Sequence, residues 1–109
     1  MEKERLFKVF SSRARREILM MVLERKLCVT KITEELGLSQ PTITQHLRIL
    51  RENGLVKSNK IGSWVHYSPD LSGIRKCLKE LRSFADAIDK AAEKKNTCSS
   101  ENCIKKHSC

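Results

Sequence analysis

Apolar residues recur at three- and four-residue intervals through most of this chain and at two-residue intervals in one stretch. Leu6, Phe7 and Phe10 in ERLFKVF lie at helical spacing, as do Ala14, Ile18, Leu19, Val22 and Leu23 in SRARREILMMVLE. Ser12 stands between the two runs as an N-cap for the second. In TKITEELG, Ile32 and Leu36 are four apart, Thr30 is placed to cap, and Gly37 to stop a short third helix. Only Leu38 separates it from SQPTITQHLRILRENG, with Ser39 as cap, Pro41 in the first turn, Ile43, Leu47 and Leu50 on one face, and Asn53-Gly54 as terminator. Two helices joined by so short a turn predict a helix-turn-helix.

The periodicity then changes. LVKSN and SWVHYS alternate apolar with polar residues around Lys60, Ile61 and Gly62, the pattern of a hairpin and, in this position, of a wing. Leu71, Ile74, Leu78, Leu81, Ala85, Ile88 and Ala92 then follow alternating three- and four-residue steps, which predicts one long helix of about 34 Å. A seam of that length needs a partner helix, so a homodimer through the first and fifth helices is expected. The fold predicted is mainly α: a winged helix-turn-helix of five helices with a small β-hairpin wing between the fourth and fifth. It occupies residues 1–93, and residues 94–109 form a flexible cysteine-rich tail whose only aliphatic residue is Ile104.

Composition adds partners and excludes classes. With 109 residues the chain has room for one core. Its longest apolar run, Ile18 to Leu23, is too short for a membrane span, and MEKERLFKVF lacks the apolar stretch of a signal peptide, which predicts a soluble, cytoplasmic protein without a membrane partner. A net charge of +9, with the basic excess toward both ends, suits a polyanionic partner. Five cysteines in a reducing compartment favour metal or thiol chemistry over structural bridges. No Cys-x-x-Cys motif, glycine-rich phosphate loop or paired carboxylates point to an enzyme.

The second helix of a helix-turn-helix enters the major groove, and its outward residues here are polar. Ser39, Gln40, Thr42, Thr44, Gln45 and Arg48 can contact base edges or phosphates of a double-stranded DNA operator: glutamine pairs with adenine, arginine with guanine, and threonine with phosphate or the thymine methyl. A solvated helix face would more usually carry Glu and Lys pairs. His46 has two readings, a packed or hydrogen-bonded histidine and a contact to DNA or metal. Lys57, Lys60, Ser63 and His66 are placed on the wing for backbone or minor-groove contacts, while Trp64 and Tyr67 are expected to pack the wing against the core.

LSQPTITQHLRILRENGLV followed by IGSWVHYS resembles the ArsR/SmtB family of repressors, and the likeness runs over residues 3–93. It implies a homodimer that leaves its operator when a metal ion, metalloid or thiol-reactive signal binds. Arsenic- and cadmium-sensing members carry Cys-x-Cys at the start of the third helix. LCVTKI matches the first cysteine with Cys28 and has Thr30 in place of the second. One thiolate does not hold a soft ion that takes three or four ligands. Zinc-sensing members use carboxylates and imidazoles of the last helix, which here has Asp86 and Asp89 and no histidine.

Cys98, Cys103, His107 and Cys109 remain, three thiols and an imidazole on the tail, suited to trivalent arsenic or to a thiophilic divalent metal such as cadmium or zinc. A similar site near the end of the last helix occurs in some members of the family. Cys28 is either a buried structural thiol or an additional ligand or redox partner reached by the tail, and Cys77 is expected to be a small buried apolar residue. Two other readings stay open: a redox- or persulfide-sensing repressor of the same fold, and a winged-helix interaction module that does not bind DNA.

Overall fold

A computed structural model of the protein describes residues 3–25 and 27–96. The elements in chain order are α1 (Lys3–Ser11), α2 (Arg13–Glu24), β1 (Leu27–Cys28), α3 (Val29–Leu36), α4 (Gln40–Glu52), β2 (Val56–Ile61), β3 (Trp64–Pro69) and α5 (Leu71–Asn96). The chain divides into two units, Met1–Cys77 and Leu78–Cys109, and α5 belongs to both.

In the first unit the caps follow local chemistry. Ser12 accepts from the Arg15 amide at 3.2 Å and opens α2, which buries Ile18, Leu19 and Val22. Ser39 accepts from the Thr42 amide at 3.4 Å and opens α4 with Pro41 in its first turn. Ile43, Leu47 and Leu50 of α4 are fully buried, which sets the rotation of this helix about its axis. Gly37, in the left-handed conformation, closes α3 two residues before Ser39. The short connection between α3 and α4 completes the helix-turn-helix.

Several expectations need correction. In α1 the buried pair is Leu6 and Val9, and Phe7 faces outward. A 100° step per residue places Leu6 and Val9 on one stripe and turns Phe7 away from it. Thr30 is not the cap of α3. Cys28 holds that position with an extended backbone and makes no side-chain cap hydrogen bond, because Leu27 and Cys28 form β1 and pair antiparallel with Tyr67 and His66 of β3. The wing is therefore part of a three-stranded sheet of order β1-β3-β2.

The hairpin turn also lies further along than its apolar pattern suggested. Lys60 and Ile61 are in β2, paired with Val65 and Trp64, and the two-residue loop is Gly62-Ser63. Gly62 has φ of 63° and, among the described residues, none other than glycine has a positive φ, the pattern of a type II′ turn with glycine first. Tyr67 packs inward as expected and is 7 % exposed, but Trp64 does not: it is 58 % exposed.

Asp70 joins the wing to α5. Its amide donates to the Leu55 carbonyl at 3.0 Å, and its carboxylate accepts from the Gly73 amide at 3.2 Å. Gly73 lies so close to the end of α4 that an added Cβ would sit 1.7 Å from the Gly54 carbonyl oxygen. Only a residue without a side chain permits that approach. In the second unit α5 continues to Asn96, and Leu78 and Ile88 on it are 40 % and 51 % exposed. No helix among the described residues is long and apolar enough to cross a membrane.

Candidate nucleic-acid interface

With Ile43, Leu47 and Leu50 turned into the core, the opposite side of α4 presents Gln40, Thr42, Thr44, Gln45 and Arg48, every one of them exposed. Ser39, also exposed, has its hydroxyl 2.8 Å from that of Thr42, so both hydroxyls stay at the helix N-terminus, where backbone amides favour an anion. Arg48 and Glu52 approach to 3.9 Å across one turn, with both side chains about three-fifths exposed. An exposed pair of that length contributes little, and the guanidinium is free to exchange it for a phosphate or base edge.

An open cleft of about 590 Å³ runs between this face and the wing, lined by Gln40, Thr44, Gln45, Arg48, Arg51 and Tyr67 among others. Sequence reasoning left out Arg51, which lies seven residues after Thr44 and three after Arg48 and so belongs to the same face. Its Nη1 donates to the Ser58 hydroxyl at 3.5 Å and links α4 to β2. The helical spacing was the signal that could have found it.

His46 stands apart from this group. It is half-buried on the flank toward α2, with Nδ1 3.5 Å from Nη1 of Arg15. Burial, and then the neighbouring guanidinium, hold its pKa below the ordinary 6.5. Arg15 also donates through Nε to the Val9 carbonyl at 2.8 Å and through Nη2 to the Lys8 carbonyl at 2.7 Å, so it ties the C-terminal end of α1 beside α4. On the wing Lys57, Lys60 and Ser63 are exposed, and His66 is half-buried.

Cys77 is buried, and burial pushes its thiol pKa up, as suits an inert packed residue. Cys28 is half-buried at the start of α3. Cys98, Cys103, His107 and Cys109 lie outside the described residues. Among the described residues no three or more His, Cys, Asp or Glu side chains are grouped so as to hold a metal ion.

Residues 12–58 match the family model for bacterial regulatory proteins of the arsR family. An HTH-type transcriptional regulator of Methanocaldococcus jannaschii is 44 % identical over 63 residues, which are 57 % of this chain and 71 % of that one. The arsenical resistance operon repressor of Escherichia coli is 43 % identical over 63 residues, 57 % of this chain and 54 %, just over half, of that protein. Among solved structures, an ArsR-like transcriptional regulator from Rhodococcus superposes with a TM-score of 0.68 at 26 % identity, covering 88 % of this chain and 92 % of that one. With five helices among its described residues, a helix-turn-helix, a hairpin wing and these relatives, the chain belongs to the ArsR/SmtB-like family of winged helix-turn-helix transcriptional regulators, which bind DNA and are not enzymes.

Proposed function

We propose that the chain is a homodimeric repressor that holds its operator in the ligand-free state and releases it when a soft thiophilic ligand binds. The observation that carries the DNA half is the exposed polar row of α4, continuous with a basic wing. Gln40, Thr44, Gln45 and Arg48 read base edges, Ser39 and Thr42 grip a phosphate at the helix N-terminus, and Lys60 and Ser63 contact the backbone beside them. His46, beside Arg15, positions the helix and comes last among the contacts.

Two protomers place their recognition helices about 34 Å apart, in successive major grooves of a near-palindromic site. The exposed Leu71, Leu78 and Ile88 along α5 support the pairing, because an apolar stripe that long is costly to leave in water.

The inducer is trivalent arsenic foremost, or cadmium or zinc, taken by Cys98, Cys103 and Cys109, with His107 and Cys28 as additional ligands. Three thiols within twelve residues support this reading, as does the arsenical resistance role named for the Escherichia coli relative. A ligand shifts the DNA-binding equilibrium only by its differential affinity for the two states, and a coupling of about 1 to 3 kcal/mol weakens operator binding roughly 5- to 150-fold.

The test is release of a labelled duplex by arsenite, cadmium, zinc and the oxidant diamide, in wild type and in C98S, C103S and C109S. Release by arsenite in wild type and its loss in the variants is expected. Equal release in all four proteins excludes the tail, and release by diamide alone assigns the chain to redox sensing.

A further inference from the structure

Two side chains at the tip of the wing belong neither to the core nor to the polar row of α4. Ile61 and Trp64 are 61 % and 58 % exposed, and they are direct cross-strand partners on either side of the Gly62-Ser63 turn. Residues opposed in an antiparallel pair project to the same face with Cβ atoms about 4.5 to 5.5 Å apart, so the isoleucine and the indole make one continuous apolar surface. The wing does not need them for its own anchorage, because Tyr67 already buries its ring in the core three residues further on.

What covers this surface follows from its surroundings. Lys57 and Lys60 are exposed on the same strand, and no acidic residue occurs between Asn53 and Pro69, so the tip sits in a purely basic stretch. Arg51 and Ser58 tie the base of the wing to α4 through the strand face that bears Tyr67, while the tip pair lies on the other face, with Lys57. The type II′ turn holds the two strands in register up to the last pair, so the tip is preorganised.

We propose that the Ile61–Trp64 tip is a nonionic DNA anchor, packed on the deoxyribose rings that wall the minor groove next to the site entered by α4. The inference rests on the DNA-binding reading above and adds to it a contact that carries no charge. Sugar C–H groups offer the apolar surface the tip lacks in the free protein. The indole N–H, which only donates, suits the acceptor-only floor of an A·T minor groove. Burying an aromatic ring releases no counterions, so this contact strengthens binding equally at all salt concentrations, unlike a lysine-phosphate pair.

Trp64 is the only tryptophan in the chain, so its emission reports on the tip alone. The probe is a labelled duplex of about 30 base pairs, recovered from a random pool by the wild-type protein and followed by anisotropy across a salt series. W64A is expected to bind about 10-fold or more weakly at every salt concentration, with the slope of log affinity on log salt unchanged, and W64F to recover most of the loss. K60A is expected to reduce the slope by about 1. Unlabelled duplex should shield wild-type Trp64 from acrylamide, and the thermal midpoint of W64A should match wild type, since the ring faces solvent.

W64A binding as tightly as wild type, or an indole equally open to acrylamide with and without duplex, overturns the proposal. So does shielding that grows with protein concentration in the absence of DNA, which assigns the tip to contact between copies of the chain. Failure of the wild type to retain any duplex from the pool defeats the DNA-binding reading itself, a result distinct from an inert tryptophan.

Discussion

α4 and α5 are both amphipathic, and they spend their apolar stripes differently. Ile43, Leu47 and Leu50 of α4 are wholly buried within the single chain, whereas Leu78 and Ile88 of α5 remain 40 % and 51 % exposed. A helix whose apolar side is fully used is held rigidly, and its polar side is free to read a ligand. A helix whose apolar side is left in water asks for another helix. On the function proposed above, the first presents the side chains that read DNA and the second supplies the surface for pairing.

The contrast breaks most sharply in the core. L47A should cost about 2 to 5 kcal/mol, because it removes a buried side chain under the recognition face and the cavity collapses only in part. Urea unfolding measures it, and a loss below about 1 kcal/mol would mean that α4 is not fixed by its apolar side. G73A should come next, at about 1 to 3 kcal/mol, since its Cβ meets the Gly54 carbonyl and backbone must move. A midpoint equal to wild type would show that this junction yields freely.

Substitution on α5 is expected to act on assembly. I88E should shift sedimentation from dimer to monomer while far-UV circular dichroism stays unchanged; a dimer that persists would mean that the seam lies elsewhere. On the outer face of α4, R48A should lose about 1 to 3 kcal/mol of operator affinity with unfolding unaltered, and equal affinity would remove Arg48 from the reading set.

The smallest effect concerns His46. Its pKa lies below 6.5 in the folded chain, so the unfolded chain takes up a proton that the folded chain refuses. Stability is therefore full above about pH 6.5 and declines as the pH falls from there to the lowered folded-state value. Below that value the loss is complete. Urea midpoints across this window should fall in wild type and flatten in H46Q, and parallel curves would place the titration elsewhere.

Much of this architecture was legible in the chain itself, where chemistry is local. Ser12 and Ser39 cap because their hydroxyls reach amides three residues on, and the stripe of α4 follows from spacing alone. β1 was not legible: two residues have no periodicity, and Leu27 and Cys28 become a strand only because β3, almost forty residues later, offers an edge. The same pairing took the cap of α3 from Thr30. Ile61 reads as equally apolar in a loop or a strand, and Gly62 alone, as the first loop residue, decides the register. An aromatic ring on a strand reads as inward, yet strand alternation from Tyr67 places Trp64 on the opposite face.

On the proposed function, the exposed polar row of α4 reads duplex DNA. The most direct measurement is the affinity of wild type and the double variant Q40A/R48A for the selected duplex and for a scrambled duplex of the same composition. Wild type should prefer the selected duplex by at least about 100-fold, and the double variant should lose most of this preference while still binding both weakly through its charge. An unchanged preference in the double variant would contradict it.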